Sequence, residues 1–227
     1  MFQLFHVLNR GVDKRVIFLD KQDHLRFIHD LFEFNNSNPT INNNFSFLHR
    51  EKTVDIASQY TKKPRRLLVD ILAFCLMPNH YHLLISPRSE KAVSEFMKKV
   101  NIGYAKYFNQ KYKRKGTLFE GRYKSVLISR EKHFLHLPYY IHANPLDLAT
   151  PEWRKNQLTN YKKAKQFLES YRWSSHLDYL GKSNFSSVTK RDFLLEVFNG
   201  EKEYQKSFND WLKSLRAEDG LKSLTLE

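Results

Sequence analysis

The sequence predicts an α+β sandwich: a central antiparallel sheet, helices on one or both of its faces, and a mainly helical extension at the C-terminal end. Three observations predict it. Short apolar runs with strand character alternate with two long amphipathic patterns of helical spacing. Two of the runs are joined by the turn signal Met77-Pro78-Asn79, so they pair as a hairpin. Beyond Leu148 the composition becomes more polar and the remaining apolar residues fall into short amphipathic stretches. The resulting order of strand, helix, two strands, helix, strand, helix suits an antiparallel sheet covered by helices.

Each element has its own justification. Phe2 to Leu8 is rich in Phe, Leu and Val and stops at the turn signal Asn9-Arg10-Gly11. Asp20 is placed to cap a helix in which Leu25, Ile28, Leu31 and Phe32 recur at helical spacing. From Asn35 to Asn44 asparagines and a proline favour turns, and the whole stretch 35–66 reads as a loop or insertion. It closes on Lys62-Lys63-Pro64-Arg65-Arg66, either a solvated loop or a contact to a nucleic-acid backbone. Leu67 to Leu76 and His80 to Ser86 are the hairpin strands, expected in the sheet centre. Ser89 to Gln110 carries Ala92, Phe96, Val100, Tyr104, Tyr107 and Phe108 at helical intervals, with Lys98, Lys99 and Lys106 on its polar side. Lys113-Arg114-Lys115-Gly116 is a basic turn, Arg122 to Ile128 a further strand, and Arg130 to Asn144 a helix ended by Pro145. Pro138 inside that helix either kinks it or delays its start. Residues 1–149 are taken as one domain and residues 150–227 as the extension, in which Phe193 to Trp211 has the clearest helical pattern.

Charge narrows the function. The 227 residues hold 38 Lys and Arg against 24 Asp and Glu, a formal charge of +14. Such a surface attracts polyanions, nucleic acid before all. With 41% hydrophobic and 15% aromatic residues the chain can build a packed core, which excludes disorder throughout. No apolar run approaches the roughly 20 residues of a spanning helix, and the start lacks the pattern of a signal peptide. A cytoplasmic, nucleoid-associated protein with no membrane partner is expected. The single cysteine, Cys75, excludes an internal disulfide and a cysteine-based zinc site.

Two stretches carry chemistry. In Met77-Pro78-Asn79-His80-Tyr81-His82-Leu83-Leu84-Ile85, strand alternation sends His80 and His82 to one face and Tyr81 to the other. Two adjacent imidazoles can hold a metal ion, although most such pairs are ordinary surface or core residues. In Tyr139-Tyr140-Ile141-His142-Ala143-Asn144-Pro145, residues four apart on a helix share a face, so Tyr140 and Asn144 project together about 6 Å apart along the axis. His136 lies on the same face. The alternative is that Tyr140 packs in the core while Asn144 caps the helix.

Together these stretches resemble the HUH motif and lone helical tyrosine of the single-tyrosine HUH transposases. The segment Gly116-Thr117-Leu118-Phe119-Glu120-Gly121-Arg122-Tyr123-Lys124-Ser125, the ending Tyr140-Ile141-His142-Ala143-Asn144-Pro145, the turn Asn9-Arg10-Gly11 and the later Tyr171-Arg172-Trp173-Ser174-Ser175 are similar to the REP-associated tyrosine transposases within the IS200-like family. Tyr139 stands where that ending has arginine. The resemblance spans most of residues 1–181 apart from the insertion at 35–66. It implies a ferredoxin/RRM-like sheet and an endonuclease and strand transferase acting on single-stranded DNA with hairpins. Tyr140 matches the nucleophile; His80, His82 and Asn144 match the ligands of a divalent ion, Mg²⁺ or Mn²⁺. Such enzymes leave a 5′-phosphotyrosine and a free 3′-hydroxyl, then rejoin without ATP. Relatives work as dimers or, in the branch with an extension, as monomers, and the extension points to the monomer here.

The physical logic agrees with that implication. A phenol with a pKa near 10 is only about 0.1% ionised at neutral pH, so it needs help to attack. Neutral imidazole and amide ligands suit a weakly held hard cation, although the ligand types alone also admit zinc. Arg10, Lys98, Lys99, Lys113, Arg114, Lys115, Arg122 and Lys124 are the candidate DNA contacts. Tyr104, Tyr107 and Tyr123 either stack on bases or pack in the core. Two other readings stay open: a nucleic-acid-binding module that has lost its chemistry, and a metal-dependent nuclease that activates water.

Overall fold

The computed structural model describes residues 3–38, 65–129 and 131–215, with side chains from residue 134 onward in the helix that begins at 131. Four strands form one antiparallel sheet: β1 (Phe5–Arg10), β2 (Val69–Met77), β3 (His80–Pro87) and β4 (Lys124–Leu127), in the order β2-β3-β1-β4. With α1 (Lys21–Glu33) after β1 and α2 (Ala92–Lys111) after β3, this is the ferredoxin-like order of elements. The sequence expectation of an α+β sandwich with a helical C-terminal region holds.

Alternation along the strands divides the molecule. Val7, Tyr81, Leu83, Ile85, Phe74 and Leu76 face α1 and α2 and join Phe27, Ile28, Phe96, Val100 and Tyr104 in an apolar core. Residues pointing the other way, Ala73, Cys75, Met77 and Leu84, pack beneath α3 (Glu131–Ala143). The same face receives the extension: α4 (Tyr161–Ser170), α5 (His176–Tyr179), α6 (Asp192–Val197) and α7 (Glu201–Ser214). α3 runs through Pro138, which therefore does not delay the helix.

Two sequence expectations need correction. The hairpin is not central: β3 is an inner strand, but β2 lies at the end of the sheet. Its outer edge is covered by the extension, where Leu76 N–H donates to Trp173 O at 2.8 Å and Ser175 N–H to Phe74 O at 3.0 Å. An unpaired strand edge is a template for unwanted pairing, and this segment removes it. Strand β4 begins at Lys124 rather than Arg122. Asn35 lies at a bend after α1, as expected, yet it is buried: its Oδ1 accepts from the N–H groups of Leu68 and Val69 at 3.0 Å, and its Nδ2 donates to Val69 O at 2.8 Å. One amide thus satisfies three backbone groups at the start of β2. Lys62, Lys63 and Pro64 of the basic cluster lie outside the described residues.

The turn before His80 is pinned by two separate motifs. Gly11 N–H donates to Asn79 O, and Ile17 and Phe18 donate to Pro78 O. Gly11 comes so close to the next turn that a Cβ there would lie 2.4 Å from Arg15 O, which only glycine avoids. The segment 116–121 then folds over the end of β1, with Glu120 N–H donating to Arg10 O at 2.9 Å. Motifs more than a hundred residues apart in sequence therefore meet at one end of the sheet.

Candidate active site

The site lies between the α3 face of the sheet and the C-terminal end of α3. His82 sits on the inner strand β3, opposite Leu8 of β1, and His80 stands opposite Arg10. Both imidazoles leave the sheet on the α3 face, as alternation requires. Their ring centroids are 5.0 Å apart. The Tyr140 ring meets His82 edge-on at 6.1 Å and His6 at 6.4 Å. Tyr139, its neighbour, is buried in the extension, within 6 Å of Phe198, Tyr204, Phe208 and Trp211. One helical step separates a tyrosine given to the core from one given to the site.

Among the described residues, hydrogen bonds engage Nδ1 of both His80 and His82. Asn79 Nδ2 donates to Lys14 O at 3.1 Å, which orients its amide so that Oδ1 accepts from His80 Nδ1–H at 2.6 Å. The lone pair of His80 then resides on Nε2. His82 Nδ1 is 2.9 Å from His6 Nε2. With Nδ1–H as donor, His82 Nε2 keeps its lone pair, and this buried atom has no hydrogen-bond partner among the described residues. An orphaned buried nitrogen is costly unless something binds it. A ligating histidine held at its other nitrogen by a neighbour is the usual arrangement at metal sites. Burial depresses the histidines: His6 and His80 titrate at about 4, and His82 well below its ordinary value, with the cations Arg10 and Arg154 pushing the same way. The imidazoles are neutral at pH 7, the state in which they bind a cation. His80, His82 and Asn144 therefore fit a divalent ion in donor chemistry. Among the described residues no group of three His, Cys, Asp or Glu offers another site.

Asn144 is fully buried just past α3. Its Nδ2 donates to Tyr140 O at 2.8 Å, satisfying a carbonyl left open at the helix end. This bond directs Oδ1 toward Arg154, whose NH2 group donates to it at 2.9 Å. The other terminal nitrogen of Arg154 donates to the Tyr140 hydroxyl at 2.8 Å. Asp147 grips the same guanidinium with both oxygens, at 2.7 Å from Nε and 2.7 Å from NH2. Trp153 Nε1 donates to Asp147 at 2.7 Å and holds the carboxylate in turn. The sequence reading found neither Arg154 nor His6. Alternation along β1 could have placed His6 on the face of Arg10; no local spacing points to Arg154.

The remaining candidates divide by face. Arg10 adjoins His80 and depresses it electrostatically. Lys124 is exposed and lies on the His82 face, opposite Leu8. Lys98 and Lys99 are on α2, which packs on the opposite face of the sheet, and Lys99 is engaged with Asn36 O at 2.7 Å and Glu95 at 3.2 Å. They do not share the site. Lys113 and Lys115 are exposed beyond α2, Arg114 bonds Asn109, and Arg122 is exposed ahead of β4. Tyr104 is core and Tyr107 donates to Asp23, so neither presents a free face. His136 packs edge-on against Tyr139 at 6.3 Å rather than against the Tyr140 hydroxyl. His142 points away from the site, bridging Tyr204 Oη at 2.6 Å and Ser175 Oγ at 2.7 Å.

Residues 40–144 match the family model of IS200-like transposases, a segment that contains His80, His82, Tyr140 and Asn144. Among solved structures, the chain is similar to a REP-associated tyrosine transposase bound to a REP hairpin, at 14% identity and a TM-score of 0.44, over 81% of this chain and 82% of that one. No curated protein matches the sequence.

Proposed function

We propose that this chain, whose residues 40–144 match the family model of IS200-like transposases, cuts and rejoins single-stranded DNA bearing hairpins as a member of that family, with Tyr140 as its nucleophile. The observation that carries the reading is the placement of the Tyr140 ring against His82, with the hydroxyl held by Arg154 beside Asn144. The hairpin substrate comes with the similarity to the REP-associated branch. In the reaction Tyr140 Oη forms a bond to phosphorus as the bond to the 3′-oxygen breaks. The phenolic proton passes to water and the 3′-oxygen takes one up. The product is a 5′-phosphotyrosine, whose bond energy lets a 3′-hydroxyl reverse the step and join strands.

His80 Nε2, His82 Nε2 and Asn144 Oδ1 would hold a divalent ion, Mg²⁺ or Mn²⁺. When bound, such an ion polarises the scissile phosphate and neutralises charge on its oxygens. Arg10 and Lys124 flank the histidines and offer positive charge to the DNA backbone. The extension buries Tyr139 and His142 of α3 and covers the edge of β2, which supports a monomer with the tyrosine helix fixed in its own chain.

The test is incubation with single-stranded hairpin DNA from repeats flanking the gene, with Mn²⁺, on denaturing gels beside Tyr140→Phe. A covalent adduct in the wild type and none in the variant is expected, with DNA binding retained by both. Binding without any adduct would leave a nucleic-acid-binding module. Cleavage surviving in Tyr140→Phe would mean a water-using nuclease.

A further inference from the structure

We infer that Arg154 is a catalytic residue of this site, supplied by the segment that follows the transposase signature, and that it stabilises the charge on Tyr140 Oη in both cleavage and rejoining. The inference rests on Tyr140 being the nucleophile.

Three observations carry it. First, the contact is to the reacting atom itself: Arg154 donates to Tyr140 Oη at 2.8 Å, and its guanidinium carbon lies 5.3 Å from the centre of the Tyr140 ring. The phenol oxygen thus accepts from a fixed cation, and its own proton is left to be given away. Second, the guanidinium is preorganised. Asp147 binds it through both oxygens, Trp153 fixes Asp147, and the Trp153 ring lies 5.0 Å from the guanidinium carbon. A donor already aimed at the oxygen where charge develops costs no rearrangement during reaction. Third, the same group ties the nucleophile to Asn144 Oδ1, so that one planar fork sets the distance between the attacking oxygen and a candidate ligand. Four of the five N–H groups are used in these bonds, to Tyr140, Asn144 and twice to Asp147. The fifth has no hydrogen bond among the described residues and faces no competitor there for a non-bridging oxygen of the phosphate.

The chemistry balances. As the Oη–phosphorus bond forms and the phosphorus–O3′ bond breaks, the phenolic proton leaves to water, and Arg154 remains protonated throughout. In rejoining, a 3′-hydroxyl gives its proton to water as its oxygen bonds to phosphorus, and the phosphorus–Oη bond breaks to a phenolate that accepts from the same N–H and then regains a proton from water. Arg154 therefore lowers one barrier crossed in both directions. Arg154 lies ten residues beyond Asn144, outside the matched segment 40–144. The family signature alone does not complete this site.

The test compares wild type, Arg154→Gln and Arg154→Lys in single-turnover cleavage of a labelled hairpin oligonucleotide, in rejoining by the isolated adduct, and in DNA affinity. Expected is a loss of about 100-fold in both rates for Arg154→Gln, an unchanged fraction of adduct at equilibrium, and DNA affinity within about threefold of wild type. Arg154→Lys, which keeps the charge but not the fork, falls between. Should Arg154→Gln fail to fold, Arg154→Lys decides alone. An Arg154→Gln enzyme as fast as wild type overturns the inference while leaving Tyr140 in place. A faster one makes the guanidinium a lock on the resting site. Parallel losses of rate, DNA affinity and melting temperature in both variants reduce it to a scaffold. A wild type with no Tyr140-dependent adduct overturns both readings together.

Discussion

The two faces of the sheet differ in where their buried polar groups sit. Against α1 and α2 the strands present Val7, Tyr81, Leu83 and Ile85 to Phe27, Phe96 and Tyr104, while the polar groups buried on that side include Asp23, His24, His29 and Asp30 of α1. Against α3 and the extension, buried polar groups gather: His6, His82, Asn144, His142, Ser175, His176 and, half-buried, Arg154. Apolar burial is non-directional and tolerant; hydrogen-bonded groups in a dry interior hold one geometry or pay for desolvation unmatched. The first face supplies stability, and the second supplies position. Tyr81 and His82 are adjacent in sequence and belong to different faces, with Tyr81 donating to Asn101 at 2.7 Å in the apolar layer.

The comparison can be broken by changing one face and reading the other. The largest effect is expected from Phe96→Ala. Phe96 is fully buried against the sheet, and its truncation should cost about 3–5 kcal/mol of stability. Cleavage per folded molecule should stay unchanged, measured by denaturant melts and adduct yield. A fall in specific activity without unfolding would mean the faces are mechanically coupled.

Acid should weaken the polar face selectively. The unfolded chain protonates its histidines near 6.5, whereas folded His6 and His80 wait until about 4 and His176 until about 3; His82 and His142 are also depressed. Between pH 6.5 and 4 the unfolded state binds more protons, so stability falls as pH falls. Each such histidine contributes a slope of about 1.4 kcal/mol per pH unit. The melting temperature should drop steeply across that interval and be flat from pH 7 to 8. A flat acid limb would mean that these imidazoles are charged in the fold.

The smallest effect sharpens the division at the surface. Lys124→Gln should weaken DNA binding at all sequences and lower the salt dependence by about one counterion. Lys98→Gln, on the α2 side, should leave both unchanged. Equal effects would place DNA across both faces.

Much of this was legible in the residues themselves. A period of two puts His80 and His82 together, and a spacing of four puts Tyr140 above Asn144, because both are local geometry. At Asn35 the turn signal was legible, since the residue lies at a bend, but the bonding of its amide to the start of strand β2 was not. The position of β2 failed because its neighbour is the irregular segment Trp173 to Ser175, which carries no strand pattern. Lys98 and Lys99 are on the face away from His80 and His82, which sequence does not show, because charge is visible in sequence and the side of a sheet is not. Arg154 was invisible for a deeper reason. It reaches Tyr140 through short helical turns whose direction is set by Asp147 and Trp153, and no repeat encodes that path.

The bond between His142 and Tyr204 has a consequence in time. A chain is made from its N-terminal end, and domains fold as they emerge. The sheet, the histidine pair and Tyr140 can all assemble before α7 exists. Yet α3 is clasped by α7, through Tyr204 on His142 and through Phe208 and Trp211 on Tyr139. A nascent chain would thus carry Tyr140 on an unclasped helix until α7 has emerged. The order of synthesis itself delays completion of the polar face that holds Tyr140.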